Sequence, residues 1–370
     1  MTEKQSQKII QSNNFGGNLV NKSCSLVVPG LLDIARIQNN LELIDLSRSS
    51  LSRLKNLELF FARSKHSQFG HAGLESVLFE LFDVSIVGDR DLPVAPISYL
   101  VDAGRQAEAW CLRADPVHLM PDRDQLVLEG PEKLLLSLAE AEHLATELNV
   151  LFGEYGWRLE AFTPTRWYLH LPEDPHIRTH GLSQVRGQAI SDFLPDGSKG
   201  KDWHRVMNEA QMLLHTSAVN AERRTLGRLP VSSLWFWGGG EAPASGHSRW
   251  SQLWSSEPVS LGLAEITRTP RETFSGNART WLGQASAPGE HLIVLDNLFL
   301  QWQIDDVEIW GEALFELQEN WIIPLVQALR DRDIDRLTLY PCDSQVFSLT
   351  SIRLRHWWRR RKPIQDYCIY

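Results

Sequence analysis

No stretch of this chain comes near the run of about eighteen uninterrupted apolar residues that a membrane-spanning helix requires. The opening MTEKQSQKIIQSNNFGG is polar and has no apolar h-region. A secretory signal is therefore not expected, and the cytoplasm is the expected location. Cysteine is scarce. Cys24, Cys111, Cys342 and Cys368 are scattered, with no C-x-x-C pair. They read as buried thiols of a reduced compartment, and neither as a disulfide frame nor as a zinc site. No P-loop, G-x-S-x-G, H-E-x-x-H or G-x-G-x-x-G motif stands in a convincing context. Cations are outnumbered: 37 Lys and Arg face 46 Asp and Glu, a net charge of −9. That balance argues against a general binder of nucleic acid or of a membrane surface.

Tryptophan, by contrast, is abundant, with 14 residues. Several fall at apolar-face spacing, so core packing accounts for most of them, while Trp235 and Trp237 are candidates to line a cleft. One segment departs from the acidic balance: Arg353, Arg355, Arg359, Arg360, Arg361 and Lys362 surround Trp357 and Trp358. A basic segment interleaved with aromatics can bind RNA or single-stranded DNA. The plainer expectation is a solvated helix end packed through its tryptophans.

With 370 residues and 43% hydrophobic content, the chain can build two domains or one large domain with an insertion. Residues 1–22 read as disordered. Ser25 to Val28, ahead of Pro29–Gly30, reads as a short buried strand ending in a turn. Leu51, Leu54, Leu57 and Phe60 recur at helical spacing, as do Leu74, Val77, Leu78 and Leu81. Strands are expected near 109–113 and 125–128, then one long helix from Pro131 to about Phe152. A hairpin pair follows at 157–162 and 167–171. His291–Leu295 reads as a parallel strand, Val307–Leu329 as a helix, and 337–340 and 346–349 as strands. Strands alternating with helices make this an α/β protein.

The densest segment is Asn208 to Pro243, NEAQMLLHTSAVNAERRTLGRLPVSSLWFWGGGEAP. Asn220, Arg223, Arg224 and Gly227 belong to a helix and its end; an apolar strand, 234–237, then runs into Gly238, Gly239 and Gly240. A strand running into glycines can bring backbone N–H groups close to a ligand, and arginines upstream can grip phosphate or carboxylate. The bland alternative is a helix–turn–strand unit with a glycine-rich turn. His118 in ADPVHL either faces a cleft or is structural. His176 and His180 lie four apart in an apparent loop, and His204 and His215 sit three turns apart on one helix, too far to share a metal.

The order Asn220, Arg223, Gly227, Pro230, Trp237, Gly238, Gly240, Pro243 resembles archaeal-type cofactor-independent phosphoglycerate mutases, members of the alkaline-phosphatase superfamily. Over nearly the whole chain, LWFWGGG, CLRADPVHL and MNEAQMLLH resemble the bacterial regulatory protein RpfE family. The resemblance implies an alkaline-phosphatase-like parallel-sheet core from 23–120 and 244–370, flanked by helices, with a smaller α/β domain inserted at 121–243. It also implies two metal ions held by Asp and His, and a Ser or Thr nucleophile, which together neutralise a phosphate dianion.

The positions that would hold those metals are altered. Where the family's first strand leads into Asp-Gly-x-x-Asp, this chain has Pro29, Gly30, Leu31, Leu32, Asp33. Asp296 is followed four residues on by Leu300 where the family has His, and Asp343 by Ser344 where it has His. Asp33, Asp296 and Asp343 are thus expected as vestigial metal positions, or as helix caps and turn closers. The nucleophile has no anchoring motif; Ser64 and Ser67 lie in the corresponding part of the chain. The expectation is a non-catalytic regulatory or metabolite-sensing protein without a cofactor, binding a phosphorylated metabolite through Asn220, Arg223, Arg224, Trp237, Gly238 and Gly240, and with a possible protein partner. The alternative is a working mutase or phosphohydrolase with a divergent site using Mg²⁺ or Mn²⁺.

Overall fold

The computed structural model describes residues 22–32, 53–84, 90–123, 125–274, 276–296 and 307–368. The first 21 residues and Asp33 lie outside them. In chain order the strands are β1 (Lys22–Val27), β2 (Lys65–Ala72), β3 (Trp110–Asp122), β4 (Gln125–Glu129), β5 (Arg158–Ala161) and β6 (Trp167–Leu171). They continue as β7 (Ser233–Gly240), β8 (Trp250–Trp254), β9 (Arg271–Glu272), β10 (Gly289–Val294), β11 (Arg336–Tyr340) and β12 (Asp343–Thr350).

Seven of these strands form one sheet, ordered β2-β12-β11-β1-β10-β8-β9. Its centre is parallel: β1 pairs with β10 on one side and β11 on the other, and β10 pairs with β8. The antiparallel strand β12 joins β11 to the edge strand β2. Apart from one partly exposed residue, Ser23, β1 is buried throughout, as expected of a central parallel strand covered on both faces. This is the α/β class expected from the alternating pattern.

Helices cover both faces. One core gathers the helix Lys55–Arg63, the helix Ala278–Gln284 and the long helical run from Val307 to Asp331. That run passes through one π turn at Gln318–Ile322. Gln318 turns its carboxamide oxygen onto the backbone N–H groups of Asn56 and Leu57, at 2.9 and 3.1 Å. It thereby satisfies amides that the first turn of a helix leaves without partners. The opposite core contains the helices Leu74–Leu81, Val94–Ala103 and Pro258–Ile266, and it continues into the second sheet.

The second sheet is antiparallel, ordered β4-β3-β6-β5, with β7 along the other part of β3. The helices Leu138–Glu154 and Gly200–Thr216 pack against it, with Trp157 stacked on Trp203 at 4.9 Å. Its strands run from Trp110 to Gly240, so a boundary at 121 would cut through β3, its central strand.

Three local expectations change for physical reasons. The single helix from Pro131 divides, because Leu135 adopts φ +48° and Ser137 caps a new helix in a capping box with Glu140. Gly238–Gly240 form no turn; they are the end of β7. The basic tail packs differently as well: Trp357 is 80% exposed and Trp358 59% exposed, after a helix of only Ser351–Leu354.

Candidate functional site

The register of the large sheet sets one wall of the site. Val27 aligns with Val294 on β10 and with Tyr340 on β11. Leu295 donates to the Val27 carbonyl and Val28 to the Tyr340 carbonyl, so the alignment continues beyond the strands. Pro29–Gly30, Asp296 and Asp343 accordingly lie just past the carboxyl ends of three adjacent strands, where open α/β sheets hold ligands. The fourth chain there is Glu257, past the end of β8. Burial raises its carboxyl pKa to about 7, and the nearby Glu75 and Asp296 add to the rise.

These carboxylates are already engaged within the protein. Glu257 accepts from the N–H groups of Val259 and Ser260, at 2.8 and 2.6 Å, and caps the helix behind it. Asp343 accepts from the backbone and the side-chain amide of Gln345, at 3.1 and 2.8 Å. Pro29 has no side-chain donor. Among the described residues, no three His, Cys, Asp or Glu side chains gather to hold a metal ion. Asp33 and Leu300 lie outside the described residues.

The arginine segment is built differently from the expectation. Asn220 is fully buried: its amide donates to the carbonyls of Leu214 and Val231, and its oxygen accepts from Val231 N–H at 2.8 Å. Arg223 is 1% exposed and is consumed by Glu140 at 2.7 Å, by the Leu229 carbonyl at 2.9 Å and by the Leu134 carbonyl. Arg224 donates to the His215 carbonyl at 3.2 Å. Neither Asn220 nor Arg223 lines the cavities described next. Their hydrogen-bonding capacity goes to tying a helix to its neighbours, because a buried guanidinium without partners would be costly.

The glycines also have a packing role. A Cβ on Gly240 would come within 2.6 Å of the Pro93 Cβ, and one on Gly239 within 2.5 Å of a Leu112 methyl. Gly238 adopts φ +64°, and a Cβ there would meet the Val94 Cβ at 2.9 Å. The run lets β7 press against the start of helix Val94–Ala103.

Beside that contact lies a groove of two adjoining cavities that share Asp91. The first, 220 Å³, is lined by Glu75, Ser76, Asp91, Thr179, Ser183, Gln184, Trp237 and Gly238. Trp237 is held by its indole N–H, which donates to Asp115 at 2.8 Å. Asp115 is itself gripped by Arg113 at 2.8 Å, and the Arg113 guanidinium lies 5.2 Å from the Trp237 ring centre. Thr179 donates both its N–H, at 2.9 Å, and its hydroxyl to Asp91. Burial pushes the Asp91 and Glu75 carboxyl pKa values up.

The second cavity, 280 Å³, brings Arg90, His176 and Arg178 together with Asp91 and Asp174. Arg90 lies 3.5 Å from Asp174 and Arg178 3.6 Å from Asp196; both arginine side chains are more than half exposed. His176 has φ +52°, and Gly197 fits close beneath its carbonyl. Arg178 and Asp196 exchange backbone hydrogen bonds at 3.0 and 3.1 Å, which fixes this loop. Pattern reading missed Glu75, Ser76, Asp91, Thr179 and Arg178, because they come from separate loops and share no spacing.

Other sequence candidates are placed elsewhere. His118 contacts the Pro230 carbonyl at 2.9 Å, His180 that of Phe193 and His204 that of Pro195. Trp235 donates to the His180 carbonyl from within the core. Ser64 is buried and donates to the Phe60 carbonyl, and Ser67 lies on the edge strand β2.

No protein-family profile matches the chain. It is similar to a probable 2,3-bisphosphoglycerate-independent phosphoglycerate mutase of Geobacter sulfurreducens, 28% identical over 166 residues, or 42% of this chain and 40% of that protein. A 2,3-bisphosphoglycerate-independent phosphoglycerate mutase of Methanosarcina barkeri is 32% identical over 116 residues, 28% of each chain. The chain thus matches about two fifths or less of these relatives' length, and over that region it is homologous to this class of mutase. Among solved structures, a cofactor-independent phosphoglycerate mutase from Thermoplasma acidophilum aligns over 94% of both chains with a TM-score of 0.44 and 16% identity. Among the described residues, no helix is long and apolar enough to cross a membrane.

Proposed function

We propose that this chain binds a small phosphorylated hydroxy acid in the groove and acts as a metabolite-responsive regulatory protein, without metal-dependent phosphoryl transfer. The observation that carries this reading is the division of the groove. Arg90 and Arg178, each with more than half of its side chain exposed, stand at one end with His176, and hydroxyls and carboxylates stand at the other. A guanidinium fork matches a phosphate dianion in charge and in geometry, and both arginine side chains reach solvent. The carboxylates and hydroxyls of the first cavity then suit the hydroxyl groups of the same ligand.

Partial homology to phosphoglycerate mutases supports this ligand class. The engaged carboxylates at the strand ends, together with Pro29, support the non-catalytic half of the reading. A regulatory role agrees with the resemblance to RpfE proteins, in which the sheet from Trp110 to Gly240 would be an inserted domain and a protein partner would read out the bound state. The cytoplasm is the compartment that suits such a ligand.

The test is an assay of 3-phosphoglycerate to 2-phosphoglycerate conversion with Mn²⁺ or Mg²⁺ supplied, run beside a thermal melt with the same compound. The expected result is stabilisation without conversion; steady turnover would contradict the reading. One observation favours a second reading, a rebuilt enzyme: Ser76 lines the first cavity on the first turn of helix Leu74–Leu81, beside Glu75. In that reading Ser76→Ala abolishes turnover, whereas in the first it leaves ligand affinity within a few-fold.

A further inference from the structure

We propose that the exposed Arg–Trp segment at residues 353–362 is a docking site for single-stranded nucleic acid. Within those ten residues stand five arginines and one lysine and no acid. Without that +6, the rest of the chain carries −15. The net charge of the rest of the chain therefore repels a polyanion, while this segment attracts it.

The segment is held in position. Arg353 donates to the carbonyls of Arg63 and Ser64 at 3.0 and 3.1 Å, at the end of helix Lys55–Arg63. Arg359 donates to the Ala62 carbonyl at 3.3 Å, and Arg361 lies 3.3 Å from Glu58. Ile364, fully buried, anchors the chain immediately afterwards. With three cations used as fastenings, Arg355, Arg360 and Lys362 stand exposed.

The rings point to the partner's chemistry. Trp357 and Trp358 are 80% and 59% exposed, far above what core packing would give. His356 already stacks on Trp358 at 4.7 Å, while Trp357 meets Trp358 edge-on at 6.2 Å. Unstacked bases offer flat faces to such rings, and arginine forks pair with the phosphates between them. An anionic membrane would also attract the cations. However, Ile352 is the only exposed large aliphatic side chain beside the two rings among the described residues, which gives little surface to insert.

Fluorescence anisotropy of labelled oligodeoxythymidine and oligouridine with the full chain tests this, with phosphatidylserine vesicles in a parallel sedimentation assay. The expected result is saturable binding of both oligonucleotides at low salt. Three exposed cations predict a slope of log K against log salt of about −2. Trp357→Ala with Trp358→Ala should weaken binding at least about tenfold at unchanged circular dichroism. Arg355→Glu with Arg360→Glu should remove most of the salt dependence. No saturable binding below about 100 µM, the range of weak non-specific association, overturns the proposal. So does oligonucleotide binding that is unaffected by the tryptophan changes, and so does tryptophan-dependent vesicle binding in the absence of oligonucleotide binding.

Discussion

The Arg223 guanidinium lies 2.7 Å from the Glu140 carboxylate with only 1% of its side chain exposed. Glu140 also closes the capping box with Ser137, so one ion pair joins the helix Ala218–Thr225 to the first turn of the helix Leu138–Glu154. Removing the guanidinium takes a donor from the Glu140 Oε1 and from two backbone carbonyls, and leaves the carboxylate without its countercharge. Arg223→Ala should lower folding stability by about 3–5 kcal/mol in urea denaturation. Affinity for a groove ligand should stay within a few-fold. A variant of unchanged stability with lost ligand binding would return Arg223 to the role of an anion receptor.

Glu257 gives a pH dependence with a defined sign. Its folded pKa, raised to about 7 chiefly by burial, exceeds its ordinary value of 4.5. The folded state therefore holds the proton more tightly between those values. The carboxyl's contribution is fully present below pH 4.5 and is lost as pH rises through 7, at up to about 1.4 kcal/mol per pH unit. Stability curves of the wild type and Glu257→Gln should therefore diverge across pH 5–7, with the wild type losing more on the alkaline side. Parallel curves would mean that Glu257 titrates normally.

Gly240 tests the packing role of the glycine run. Its added Cβ would sit 2.6 Å from the Pro93 Cβ, and neither backbone can yield freely. Gly240→Ala should cost about 1–3 kcal/mol in thermal or urea unfolding. A neutral substitution would show that β7 and the helix start at Val94 can separate without penalty.

Much of the architecture was legible in the sequence because its signals were local. Continuous apolar runs marked β10 and β11, and helical spacing marked Leu74–Leu81 and the run from Val307. The glycines misled because a glycine pattern marks close approach without saying what approaches; here it is Pro93, Val94 and Leu112. Arg223 misled because charge in a sequence does not show burial. The groove itself was hidden: Glu75, Asp91 and Thr179 meet only after two sheets have packed. The plainer expectation for the tail, a solvated helix end packed through Trp357 and Trp358, fails because both rings stand exposed.

Metal content gives a separate check. After growth with Mn²⁺ and Zn²⁺, the purified protein should carry substoichiometric amounts of both by elemental analysis. The reasons are Pro29 at the end of β1 and the engagement of Glu257 and Asp343 by their own backbones. About two tightly held ions per chain, as in two-metal phosphoryl-transfer sites, would contradict the non-catalytic reading.

Isothermal titration of 3-phosphoglycerate into wild type and Arg178→Ala tests the central claim most directly. A charge-assisted contact contributes roughly 1.5–3 kcal/mol. The account therefore predicts saturable binding that weakens about ten- to a hundredfold in the variant, whose melting temperature should barely change because the side chain is more than half exposed. No binding to wild type, or equal affinity in both proteins, would contradict it.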